Sequence, residues 1–431
     1  MKPRYVREEL LALRRQGGVC HPRFGDLLRP DAVRYPAPAF PADAFTECSP
    51  CMIHVSVTAR CNARCRGCVN SVITHAGQAA LPADVEPDRD SLAIAALVRN
   101  APEQDVLVCL YGGEPLLRPK RVLELMDRLQ KRIVGRPLHY MLYTNGQLLA
   151  RTAEQSPALL ARIWLLSVSI DGRAPQHEAV RCGTSLTDIE TGLQRARELR
   201  PNGTTLMWST LRESQSLDDC YQEFLRLSQS GAANQFFWHW LETEEPFADL
   251  PAYMARYEAD WRRILADCVA LLEQGRVLPI PHLNELVLYL LTGRERGTSA
   301  CAVEVDRNYD ILGGRIHACA DLPSEWAIGT IKPDGTPQMD EPDLRPLVAY
   351  KDDLGCTSCG VHGYCGGRCP VQGLTSTARR LLDYCQLMRL HVGLAVDTLP
   401  QIRHGLACGG VPLSRLYDES GCYAQFTDVT P

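Results

Sequence analysis

The chain has 431 residues, 45% of them hydrophobic and 23% charged, with a formal net charge of −5. That balance belongs to a globular protein with a sizeable core and excludes a disordered or fibrous one. No basic stripe of the kind a dedicated nucleic-acid binder carries stands out.

Taken in chain order, the N-terminus lacks the apolar stretch of a secretory signal. The longest apolar runs, such as Ile163 to Ile170, are too short to span a bilayer. A cytoplasmic setting with no membrane partner is therefore expected. Residues 1–50, proline-rich after Arg29, read as a segment that wraps the main domain. Short apolar runs at Ile53–Val57, Val106–Leu110, Tyr140–Tyr143, Ile163–Ile170, Thr205–Trp208 and Phe236–Trp240 have the look of buried parallel strands. Helical patterns lie between them. Arg121 to Ile133 places Val122, Leu125, Met126 and Leu129 on one face, and Asp188 to Leu199 and Asp218 to Leu227 read similarly. Six strand–helix units over residues 51–245 predict an α/β fold, a partial (βα)6 TIM-like barrel with its active site at the C-terminal strand ends. A doubly wound sheet fits the periodicity nearly as well. A long amphipathic helix from Ala252 to Gln274 makes residues 246–299 a bridge to a small cysteine-rich domain over 300–390. Residues 391–431 form a tail in which no usable pattern appears after Ala407.

Cysteine is the outlying count, at nineteen, an odd number that cannot all pair. In a reducing compartment, clustered thiols bind metal more often than each other. Cys61, Cys65 and Cys68, spaced C-x3-C-x2-C, directly follow the first strand. Such a set would hold three irons of a 4Fe-4S cube and leave the fourth open to a small molecule. Structural zinc competes, but it wants four ligands. No fourth is evident, since His54 lies within the strand and His75 lies seven residues past Cys68.

This spacing resembles the cluster motif of radical S-adenosylmethionine enzymes. Tyr111-Gly112-Gly113-Glu114-Pro115, after the second strand, is similar to that family's GGEP segment. Tyr143-Thr144-Asn145-Gly146, Ser169-Ile170-Asp171-Gly172 and His177 to Arg181 with Gly183-Thr184-Ser185 extend the likeness in order. The resemblance implies S-adenosylmethionine as cofactor, with Gly112, Gly113 and Pro115 shaping its cradle. It places Glu114 at the methionyl ammonium, and Ser169 and Arg181 at the carboxylate, a role that suits a hydroxyl and a guanidinium. One departure is Gly67, which stands where the family usually carries an aromatic residue near the adenine. Adenine contacts are then expected elsewhere, with Trp238 or Trp240 as candidates set against a plain core role.

The late cysteines, Cys301 and Cys319, then Cys356, Cys359, Cys365 and Cys369, then Cys385, resemble the seven-cysteine SPASM extension of peptide-modifying members of that family. The likeness implies two auxiliary 4Fe-4S clusters and three clusters in all. Cys301, Cys319 and Cys369 would bind the nearer. Cys356, Cys359, Cys365 and Cys385 would bind the farther. The nearer set is one thiol short, to be completed by another ligand or left open to substrate. A zinc ribbon is the alternative, because C-x2-C pairs also bind zinc. The nine remaining cysteines read as small buried hydrophobes, and the Cys48–Cys51 pair is a weak metal signal.

The same resemblance implies an oxidoreductase. Its reduced first cluster would cleave S-adenosylmethionine to a 5′-deoxyadenosyl radical, which abstracts a substrate hydrogen, and the auxiliary clusters would accept the remaining electron. The expected substrate is a peptide or protein side chain, oxidised to a crosslink, a thioether or a similar product. A base then removes a proton. Sulfatase-maturing relatives carry an aspartate directly after the second SPASM cysteine, whereas here Ala320 takes that position. Asp321, one residue further, is the candidate base, set against a solvated loop carboxylate. A flavodoxin- or ferredoxin-type electron donor and a separate leader-binding protein are the partners implied. The competing reading is a dehydrogenase or epimerase of a small molecule such as a sugar or aminoglycoside.

Overall fold

The computed structural model describes residues 7–15, 27, 29, 31–45, 50–68, 83–103, 105–304, 308–322, 324–340 and 343–420. Cys20, Cys48, His75 and Cys422 lie outside them. Six parallel strands run β1 (Cys51–Thr58), β2 (Val106–Gly112), β3 (Leu138–Thr144), β4 (Leu165–Ser169), β5 (Thr204–Leu211) and β6 (Gln235–Trp240). They are neighbours in sequence order. A doubly wound sheet reverses its strand order at a switch point, so this unbroken order decides for an open barrel.

The helices between the strands start where the sequence supplies caps or proline. Pro119 opens Pro119–Arg132, whose buried stripe is Val122, Leu125, Met126 and Leu129. Ser185 accepts from the Asp188 amide to start Leu186–Leu199. Ser216 does the same with the Asp219 amide to start Leu217–Gln229. Each helix covers the outside of the sheet.

Along each strand alternate side chains face inward. Met52, Leu107, Cys109, Met141, Leu165, Leu206 and Phe237 fill the inner floor as one apolar cluster. Two residues further along several of these strands, the inward face turns polar and aromatic. That change of character marks the mouth of the barrel.

The late cysteine region continues the same sheet. β7 (Asn308–Leu312) pairs in parallel with β1, with Asp310 opposite His54. β8 (Arg315–His317), β9 (Ala327–Ile331) and β10 (Pro337–Met339) come next as an antiparallel meander. The sheet therefore has ten strands, and the meander closes off its β1 edge. The bridge helix runs Leu250–Glu273, capped by Asp249. It packs against a 32-residue helix, Ala378–Gly409, that crosses residue 390 without interruption. That helix is not legible in the sequence because it is buried on several sides and shows no single apolar stripe. A further helix, Leu413–Ser420, lies in the stretch expected to lack pattern. Near the N-terminus, residues 31–45 lie across the helix Pro281–Thr292, with the Ala39 and Phe40 amides donating to the Leu291 carbonyl.

Candidate active site

A cleft of about 340 Å³ opens at the C-terminal ends of β1–β6, the end at which barrel enzymes carry their chemistry. Cys61, Cys65 and Cys68 line it together with Cys301 and Cys319. The two cysteine regions, far apart in sequence, thus share one cleft. β7 brings this about by pairing with β1.

The first cysteine loop is held by the turn after β2. The Gly113 amide donates to the Thr58 carbonyl at 2.8 Å, and the Glu114 amide to the Arg60 carbonyl at 2.9 Å. A Cβ on Gly112, at φ +125°, would lie 2.4 Å from the Thr58 carbonyl oxygen. One on Gly113 would lie 2.3 Å from that of Arg60. Only glycine permits this approach. The Cys61 thiol accepts from the Ala63 amide at 3.4 Å and from Asn145 Nδ2 at 3.7 Å. Burial pushes it up, and the neighbouring Cys65 and Cys68 add to the shift.

Glu114 is fully buried and does not face the cleft. One carboxylate oxygen accepts from the Leu116 amide at 3.0 Å and from the Thr144 hydroxyl at 2.8 Å. The other accepts from the Asn145 amide at 2.8 Å. Burial raises its pKa to about 7 despite these donors. Its visible work is to tie the end of β2 to the end of β3, with Pro115 beside it in a short 3-10 turn.

Ser169 and Arg181 both line the cleft. Arg181 grips Asp171 bidentately, Nε to Oδ2 at 2.7 Å and Nη2 to Oδ1 at 3.0 Å. Arg212, which no sequence motif singles out, adds Nη1 to Oδ2 at 2.9 Å. Burial alone would raise Asp171, but the two guanidiniums and the Thr210 amide hold it down to about 2. One carboxylate between two arginines leaves a net positive charge facing the cleft, which suits an anionic ligand group.

Gly67 has φ +64°, and a Cβ there would meet the Leu241 side chain at 2.8 Å. Leu241 lines the cleft at the position left by the absent aromatic. Trp238 and Trp240 do not. Both are fully buried on the outer face of β6, where Trp238 packs on Trp261 and His282. Strand alternation explains it: His239 and Leu241 face inward, and the tryptophans between them face the helices.

Asp321 lies in the cleft wall beside Asp310. Burial pushes Asp321 up to about 7, with Asp310 adding to it. Burial likewise pushes Asp310 up to about 7, against the Ala320 amide, which donates to it at 3.1 Å. His54 Nδ1 lies 3.4 Å from Asp310, and burial holds that histidine down to about 4. Asp310 is not visible as a site residue in the sequence because nothing local marks it. Only the pairing of β7 with β1 gives it this place.

The remaining late thiols gather deeper. Cys356, Cys359, Cys365, Cys369 and Cys385 all line one pocket. Burial pushes Cys365 up to about 12, with Cys385 and Cys359 contributing. Cys369 also acts on Cys319, together with Cys301. Cys369, expected with Cys301 and Cys319, thus lines the pocket of the other four late thiols while also acting on Cys319. Among the described residues, no three His, Cys, Asp or Glu side chains close to the spacing of a single metal ion. No helix among the described residues is long and apolar enough to cross a membrane.

Residues 55–219 match the family model of the Radical SAM superfamily. The solved structure of polyhistidine-tagged anSMEcpe with bound AdoMet aligns with a TM-score of 0.64 at 16% identity, covering 86% of this chain and 99% of that one. Native anSMEcpe with bound AdoMet and Cp18Cys peptide aligns at 0.60 and 17% identity, covering 82% and 99%. At these identities the likeness is one of fold. No curated protein matches the chain in sequence.

Proposed function

From the premise that residues 55–219 are a radical SAM domain, we propose that the chain is an oxidoreductase that modifies a peptide or protein side chain. On this reading Cys61, Cys65 and Cys68 hold a 4Fe-4S cluster, and S-adenosylmethionine binds beside it. The late cysteines hold two auxiliary clusters that take up electrons from the substrate. Together the first cluster and its ligand supply one-electron, hydrogen-abstracting chemistry. The protein's part is to bind, orient and keep water out. Gly112 and Gly113 let the backbone approach the ligand, Ser169 and Arg181 receive its carboxylate, and Asp321 takes the substrate proton.

The observation that carries this reading is the shared cleft, lined by Cys61, Cys65 and Cys68 together with Cys301 and Cys319. A substrate held there would be within reach of both thiol sets. Support for a peptide comes from the like-folded anSMEcpe structure, which holds one. A cytoplasmic flavodoxin- or ferredoxin-type donor and a leader-binding protein complete the proposal.

Anaerobic incubation with S-adenosylmethionine and dithionite tests it. The reconstituted chain is expected to release 5′-deoxyadenosine, and Cys61→Ala to release none. A peptide substrate found among candidate precursors is expected to lose about two mass units, the two hydrogens of a two-electron oxidation. Undiminished 5′-deoxyadenosine from Cys61→Ala would refute the assignment of the first cluster.

A further inference from the structure

Arg389 is a buried cation that the cleft does not use. It lies on the helix Ala378–Gly409, one turn past Cys385, and is 3% exposed. One terminal nitrogen donates to the Leu27 carbonyl, and the other to Cys359 Sγ at 3.7 Å. Its Nε has no partner among the described residues. The charged groups it faces are the thiols of Cys385, Cys359 and Cys365, and no carboxylate is among them.

Its neighbour Arg368 makes the contrast. That guanidinium is also buried against the same pocket, but it meets Glu242 at 3.0 Å and stacks on Tyr384 at 4.3 Å. Its charge is compensated by a carboxylate, whereas among the described residues Arg389 faces thiols. An unpaired buried cation is strongly unfavourable unless an anion stands beside it. The polar atoms near Arg389 point to which anion that is. A four-iron cluster on four thiolates carries net negative charge, and one-electron reduction adds another. A fixed cation beside it stabilises the reduced state more than the oxidised one.

We propose that Arg389 is the counter-cation of the centre held by Cys356, Cys359, Cys365 and Cys385, and that it raises that centre's reduction potential. This rests on the reading above that those thiols hold an iron–sulfur cluster. The centre takes one electron at a higher potential than its thiolate set alone would allow, which favours electron flow inward from the cleft. Arg389 is a positioning and tuning residue, not a catalytic one.

The test is a potentiometric titration with dithionite, followed by electron paramagnetic resonance, on the reconstituted full-length chain. The signal lost in Cys356→Ala identifies the far centre. Arg389→Gln is expected to shift that signal to lower potential at unchanged iron content, and Arg389→Lys to stay near the wild type. Full iron with an unmoved potential in Arg389→Gln overturns the proposal alone. A wild-type chain whose late cysteines bind no iron overturns the reading beneath it. If Arg389→Gln empties the site, Arg389→Lys decides. Retained iron at the wild-type potential supports the role of the charge, and iron lost there as well overturns it in favour of packing.

Discussion

The first cysteine set and the far one differ most at their extremes, Cys61 and Cys356, and in the charges beside them. Cys61 is exposed, Cys65 and Cys68 are partly so, and all three face an open cleft. Cys356 is buried and packs with Leu10, Tyr350 and Leu381, beneath the helix Arg7–Arg15. Arg181, beside the first set, is paired with Asp171, whereas Arg389, beside the far set, faces the thiols of Cys385, Cys359 and Cys365 among the described residues. An open set can admit a ligand to its iron. An enclosed set with a fixed cation is suited to holding an electron. Cys301 and Cys319 stand between, on the cleft wall but in the sheet extension that leads inward.

The largest effect expected from breaking this contrast is at the first set. Cys65→Ala should abolish 5′-deoxyadenosine formation while leaving thermal stability close to that of the wild type, because the loop lies at the cleft surface. Cys356→Ala should do the reverse. S-adenosylmethionine cleavage should survive, but substrate oxidation should fail and the melting temperature should drop, since the thiol is part of a packed cluster. Calorimetry alongside product analysis separates the two. Equal loss of stability in both variants would erase the distinction.

Arg181→Lys comes next. It keeps the charge but loses the bidentate grip on Asp171, and charge-assisted bonds of this kind are worth about 1.5–3 kcal/mol. A weakening of S-adenosylmethionine binding by about 10-fold to 100-fold is expected in equilibrium titration. Leu10→Asp should speed the oxidative bleaching of the far centre in air and leave that of the first set unchanged. The smallest effect is that of Gly67→Ala. The left-handed backbone costs about 1–3 kcal/mol, but the Leu241 side chain it meets can rotate away. A modest fall in melting temperature should therefore accompany retained ligand binding.

How much of this the sequence disclosed depends on range. Cys61 to Cys68 and Gly112–Gly113 act within a few residues, so their roles could be read locally. The six barrel strands were legible because each is a short apolar run between turns. Asp310 was not, because its meaning comes from pairing β7 with β1 across most of the chain. Arg212 was hidden for the same reason, since it reaches Asp171 from the end of another strand. Trp238 and Trp240 stayed open between cleft and core, because composition shows an aromatic residue but only strand phase shows which way it faces, here the core. Glu114 shows the limit of motif reading. Its position is the one the motif implies, but its carboxylate is occupied in holding two strand ends together.

The central claim is that three thiol groups hold three clusters, two of them with thiols on the cleft and the third deeper. Iron and sulfide analysis of the anaerobically reconstituted wild type, beside a variant with Cys61, Cys65 and Cys68 all replaced by alanine, tests it most directly. The account predicts about twelve of each per chain, falling to about eight in the variant. About four in the wild type, falling to none, would contradict it.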